Sequence, residues 1–313
     1  MNSILAITAP VFLIITIGYI FAHLKILKEK SQQVLSLYVL YCSMPAYLFL
    51  AMAKVPHGML INIRYMASFA LSMVGIAFLG GLITRKIYKR DGASTILAMM
   101  GACYTNSAFV GIPIIVMTYG QIAPVVVITL FQVIVGTTTI LTGIEIYQKH
   151  GSLSLKALLE FPKTVLLNPI VGASFLGILF SFQEWSIPET LEKGFQMLGN
   201  AGIPTGLFAL GLSLGEKHQP LPSRSRYLVY SLVVLKTVLH PALAWVVGNY
   251  IFHLGDPWLG TVTIVAALPT ALNNFVFAQR YDAFVAESGQ VVFFTSVVSL
   301  LTLSGLLWLL GLG

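Results

Sequence analysis

Ten apolar stretches, each close to the roughly 20 residues that cross the hydrocarbon core of a bilayer, follow one another in this chain with almost nothing between them. Cut at proline, glycine or charged punctuation, they are 3–23, 32–53, 65–84, 94–118, 122–146, 164–182, 192–214, 227–253, 258–280 and 288–311. Only 9% of the 313 residues are charged, where a soluble domain carries about a quarter. The chain therefore reads as an all-α polytopic membrane protein whose main solvent is lipid. Its loops are too short to hold a soluble catalytic domain. The first stretch, "ILAITAPVFLIITIGYIFA", lacks the basic leader and small-residue cleavage pattern of a signal peptide and reads as a mature helix.

The net charge of +7 would suit nucleic acid if it were clustered on one soluble face, but it is sorted by loop. Of the 18 Lys and Arg residues, 14 fall in alternate loops on one side, Lys54, Arg64 and Lys193 on the other, and Lys236 inside a span. Basic loops stay in the cytoplasm, so ten spans in a cell (inner) membrane put both termini on the extracytoplasmic side. No nucleic-acid partner is expected. Cys42 and Cys103 lie within spans at a spacing that makes no metal motif, and no cofactor is expected.

The two halves can be laid over each other. A shift of 159 places Pro10 on Pro169, Gly18 on Gly177, Pro45 on Pro204, Leu48 on Leu207 and Phe49 on Phe208; a shift of 162 places "RYMASFAL" (64–71) on "RYLVYSLV" (226–233) and Tyr88 on Tyr250. Each half then holds five spans, an odd number, so the second half is inverted in the bilayer. The expected units are 1–146 and 164–313, joined by a cytoplasmic connector at 147–163. Inverted repeats with interrupted helices are the architecture of secondary transporters, with the site near the midplane where the repeats meet.

The fourth span of each unit carries the interruption. In the first unit Asn106, Ser107, Gly111 and Pro113 fall midway; in the second, "ALPTALNNFVFAQ" places Pro269 before Asn273 and Asn274. A proline kink whose amides hold neighbouring helices would look the same in one helix. Two such breaks, in equivalent helices, favour a site. Antiparallel half-helices that cross there bring two N-termini to one point, and each end carries about half a positive charge, which suits an anion.

Ionisable groups at membrane depth are costly and mark function. The acids all sit at span ends or in loops, which argues against a cation antiporter. Lys236 lies about ten residues into the eighth span, too deep to snorkel, with His240 four residues on along the same face. The lysine is a candidate for neutralising a substrate carboxylate; the histidine is either a structural or a proton-responsive group. Gln132 and the "GTTT" run at 136–139 in the fifth span are polar groups that could face the fourth span and a cavity there, although threonine hydroxyls in membrane helices usually bond back to their own backbone; Tyr41, Ser43 and Asn200 could line the cavity from the other side.

Around these same residues, "YCSMPAYLF", "TNSAFVGIPIIV", "KTVLHPALAWVVG" and "ALPTALNNFVFAQRYD" resemble the auxin efflux carrier family, which includes the plant PIN transporters and many bacterial carriers described as organic-anion permeases. The resemblance runs in order over essentially the whole chain. It implies ten helices in two inverted five-helix units, related to bile acid symporters and sodium/proton antiporters. Spans 1, 2, 6 and 7 would form a scaffold and spans 3–5 and 8–10 a transport domain that moves against it like an elevator. Spans 4 and 9 would cross at Pro113 and Pro269, with the substrate beside the crossing, and the protein would be a homodimer. The long cytoplasmic loop of plant PIN proteins is absent, since only about 17 residues separate spans 5 and 6, so auxin itself is not the expected substrate.

The expected function is a secondary carrier of a small organic anion, working toward efflux. The alternative is a sodium- or proton-coupled symporter of the bile acid type. A membrane-embedded enzyme is not expected, because the spans hold no paired acids, no histidine cluster and no G-x-S-x-G.

Overall fold

The computed structural model describes residues 2–27, 30–55, 62–148, 169–215 and 221–312. Most of the connector 147–163, the first residues of the sixth expected span, and Lys28 and Lys217 lie outside the described residues. Among the described residues, twelve helical runs follow one another: α1 (Asn2–His23), α2 (Ser31–Ala53), α3 (Ile63–Ile87), α4 (Gly92–Cys103), α5 (Ser107–Tyr119), α6 (residues 123–148), α7 (Pro169–Phe182), α8 (Glu189–Gly215), α9 (Ser223–Ile251), α10 (Trp258–Ala267), α11 (Asn273–Arg280) and α12 (Val285–Leu309). Among the described residues no strand is present, and one isolated antiparallel bridge joins Thr105 to Thr270.

Six of these helices, α2, α3, α6, α8, α9 and α12, are long and apolar enough to cross a membrane, and the rest include shorter apolar helices. The protein is thus a multi-pass helical membrane protein. Local chemistry sets several boundaries. Asn62 caps α3 by accepting from the Tyr65 amide (3.0 Å), and Asp91 caps α4 by accepting from Ser94 N (2.9 Å) and Ser94 Oγ (2.7 Å). α5 stops at Gly120, whose φ of 66° suits the left-handed cap that glycine adopts without steric cost.

Packing sorts the helices into two groups. α1 runs along α8, and α2 lies against α7 and α8. The second group gathers around α3, α4, α9, α10 and α12, with α6 set against α4 and α5. α1 also touches α5 and α12, and α8 touches the first turn of α5. Lipid supplies no hydrophobic drive between helices, so close backbone approach at small residues holds such bundles together. α1 and α8 meet at Gly18, Gly211 and Gly215 in this way.

Several helices contain wide, π-type turns: among them, Ser107–Gly111 opens α5, and Leu235–Leu239 lies within α9. Such turns recur at functional sites. Here one follows the bridge and the other carries Lys236.

Candidate functional site

The chain leaves helical geometry at Tyr104 (ψ 118°) after α4, and again at Leu268 (ψ 152°) after α10. A helix broken in the bilayer exposes main-chain groups that lipid cannot satisfy. The two breaks satisfy each other: Asn106 N donates to Pro269 O (2.8 Å) and Ala271 N to Tyr104 O (3.2 Å). Pro269 has no N–H to place, and only its carbonyl is needed at this point.

Neighbouring helices complete the pairing. Gln132 on α6 accepts from Thr105 Oγ1 (2.6 Å) and Thr105 N (3.4 Å), and its Nε2 donates to Thr105 O (3.0 Å). On the opposite side, Thr270 N donates to Thr295 Oγ1 on α12 (3.1 Å), and Thr270 Oγ1 donates to Gly101 O (2.7 Å). α5 and α11 therefore begin, and α4 and α10 end, around one buried point.

Lys236 meets the end of α10. It is fully buried, and its Nζ donates to Ala266 O at 2.5 Å. That carbonyl is among the last four of α10, which a helix leaves unpaired at its negative end. His240 is equally buried; its Nδ1 lies 3.4 Å from Lys236 Nζ, its Nε2 has no partner among the described residues, and its ring packs on Phe69.

The residues singled out in the sequence divide as follows. Asn106, Ser107 and Asn274 are buried at the crossing. Asn106 Oδ1 caps α5 by accepting from Phe109 N (3.3 Å), and its Nδ2 has no partner among the described residues. Asn274 Nδ2 donates to Ser288 Oγ (2.8 Å), and its Oδ1 likewise has none among them. Ser107 Oγ is bonded to Thr129 (2.8 Å). Asn273 is exposed, beside the Tyr104 hydroxyl. Gly111 faces Leu268, where a Cβ would come within 2.7 Å of the leucine side chain.

The remaining candidates are placed as follows. Pro113 lies within α5, just past the π-type turn that opens it at Ser107, and the bridge partner of Thr270 is Thr105. Gln132 does not offer its amide to a cavity, because both ends of it are spent on Thr105. Thr138 and Thr139 bond back to the carbonyls of Ile134 and Val135 in their own helix, while Thr137 pairs with the Tyr104 hydroxyl (2.9 Å). Of the α2 and α8 candidates, Tyr41 is exposed, Ser43 is buried against Gly202, and Asn200 lines a cavity of about 270 Å³ with Tyr47, Lys54, Glu192 and Gln196. Thr105, Thr270 and Thr295 were not singled out; their one local signal is a threonine beside each break.

A family model described as a membrane transport protein matches residues 3–307. The chain belongs to this family, that of the auxin efflux carriers. Among the relatives of this carrier is the Rhizobium meliloti protein named "Putative malonate transporter", 26% identical over all of this chain and 98% of its own length. The Escherichia coli protein named "Uncharacterized transporter YfdV" is 23% identical over 88% of this chain and 87% of its own. Auxin efflux carrier component 5 of Arabidopsis thaliana is 28% identical over 84% of this chain and 83% of its own. These auxin efflux carrier relatives bear the names of transporters, not of enzymes.

Proposed function

We propose that the protein is a secondary transporter that moves a small organic anion, a carboxylate, across the cell membrane by alternating access. The observation that carries this reading is the crossing: the N-termini of α5 and α11 converge on the bridged Thr105 and Thr270, and the unpartnered donor Asn106 Nδ2 lies beside them. Helix N-termini favour anions, and Lys236 adds a cationic group nearby. The malonate named for one relative is a small carboxylate.

In this reading the chain crosses the membrane ten times, with α4 and α5 forming the fourth span and α10 and α11 the ninth, and its halves are inverted repeats. α1, α2, α7 and α8 stay fixed while the other helices slide against them with the anion at the crossing. The separation of packing partners described above supports that division. The inside-negative potential contributes about 2.3 kcal/mol per charge per 100 mV, which favours outward movement of an anion without a sodium gradient. A sodium ion would need clustered oxygens at the crossing, and Lys236 already takes the Ala266 carbonyl, which weighs against sodium coupling.

The test is malonate flux in proteoliposomes under an imposed potassium diffusion potential. Flux that responds to the sign of the potential and is absent from protein-free vesicles is expected. Failure of malonate and other small carboxylates to move, or to raise the melting temperature of the purified protein, would overturn the reading.

A further inference from the structure

Lys236 is fully buried, yet no carboxylate is paired with it among the described residues. The ionisable groups facing it are His240 on its own helix and the Cys103 thiol at the end of α4. α10, which supplies its carbonyl acceptor, carries no titratable residue. α12 and α3 also pack against this turn, and their buried titratable groups are engaged elsewhere. Glu287 pairs with Arg90 (2.5 Å), and Tyr65 donates to Pro124 O (2.9 Å).

An ammonium group here would have a helix C-terminus and one carbonyl to offset the loss of water, and no anion. Uncompensated buried charge of this kind is costly. A neutral amine makes the same bond to Ala266 O without that cost. The balance changes when an anion binds at the crossing. Ala266 is four residues from Thr270, so the acceptor of Lys236 lies within about 14 Å of the bridge by chain length alone. At that range in a poorly polarisable interior, a carboxylate favours the protonated amine.

We propose that Lys236 is neutral in the empty carrier and takes one proton from solution onto Nζ when a carboxylate binds, so that anion and proton cross together. This rests on the carboxylate reading above and adds its stoichiometry. A monocarboxylate then crosses with no net charge and a dicarboxylate dianion with one negative charge. By linkage, the anion raises proton affinity as much as the proton raises anion affinity. Malonate affinity should therefore fall by up to about tenfold per pH unit over the range in which only the loaded carrier holds the proton.

The experiment is calorimetric titration of the purified full chain with malonate, at a pH where the free ligand is fully ionised, in two buffers of different ionisation enthalpy. The expected result is uptake of up to one proton per malonate by the wild type and by His240→Gln. No uptake is expected in Lys236→Arg, whose guanidinium stays charged, and weak or absent binding in Lys236→Met. Wild-type binding without proton uptake would overturn the proposal while leaving the carboxylate reading standing, as would uptake lost in His240→Gln but kept in Lys236→Arg. Absence of binding by malonate and other small carboxylates would instead remove the carboxylate reading, and this proposal with it.

Discussion

Gly18 on α1 packs so closely on Phe208 of α8 that a Cβ there would lie 2.3 Å from the phenylalanine carbonyl oxygen. Gly177 on α7 meets Phe49 of α2 in the same way, at 2.4 Å. These are the residues that a shift of 159 superposes: Gly18 falls on Gly177, and Phe49 on Phe208. A two-fold relation between the halves exchanges one contact for the other, which supports the inverted-repeat reading more directly than shared prolines do. An alanine would gain about 1 kcal/mol of helix propensity, whereas overpacking typically costs about 1–3 kcal/mol. The carbonyl cannot yield without moving its helix, so the clash should win. Gly18→Ala and Gly177→Ala are expected to lower the melting temperature in detergent by similar amounts. Gly194→Ala, with nothing within 4 Å, should leave it unchanged or raise it.

The crossing should be sensitive at Gln132. Replacing it by Leu removes the partners of Thr105 N, Oγ1 and O together. Each buried group left unsatisfied costs about 1–3 kcal/mol, so a loss on the order of 2 kcal/mol or more is expected, with loss of malonate flux. Thr139→Val should be nearly silent in the same melts and flux assays, because its hydroxyl only bonds back to Val135 O within α6. Equal effects of the two changes would count against the crossing as the structural centre.

Acid should loosen the start of α4. Partial burial of Asp91 pushes its carboxyl up, but hydrogen bonds from the Ser94 amide and hydroxyl outweigh this and hold it below its ordinary 3.8. A carboxyl whose folded value is lowered contributes stability above its unfolded value, and that stability is lost as pH falls through the folded one. Melting temperature should therefore drop as pH is taken from above 3.8 downward, and Asp91→Asn should lack this component while keeping a cap. Asp91→Ala should cost about 0.5–2 kcal/mol at neutral pH. A wild-type and Asp91→Asn pair with identical acid profiles would refute the assignment.

Much of this was legible in the sequence because lipid enforces it. Apolar runs, their basic loops and the Pro269 break are local signals, and so is the burial of Lys236. What could not be read was which atoms satisfy the breaks. Pro113 reads as the interruption of the first half, but it lies inside the helical run that opens at Ser107, and the break at Tyr104 and Thr105 has neither proline nor glycine. Its bridge partner is Thr270, 165 positions away in sequence. Gln132 likewise read as a cavity-lining amide until its three bonds to Thr105 were placed. The acceptor of Lys236 is a main-chain carbonyl, which has no residue-type signature.

Asn106 separates fold from binding. Its Oδ1 accepts from Phe109 N and so caps α5, while its Nδ2 is buried without a partner. Aspartate keeps the capping oxygen and is as good an N-cap as asparagine. It also replaces the unpartnered donor with a negative charge at the point where the helix N-termini are proposed to hold a carboxylate. Asn106→Asp should therefore fold with a melting temperature near that of the wild type, yet lose the malonate-induced rise in melting temperature and the flux. Asn106→Ala should instead cost about 0.5–2 kcal/mol of stability through the lost cap and weaken malonate binding less than the aspartate does. The order of the two variants is the measurement that matters. If Asn106→Asp binds malonate as well as the wild type, the anion does not sit at this helix N-terminus.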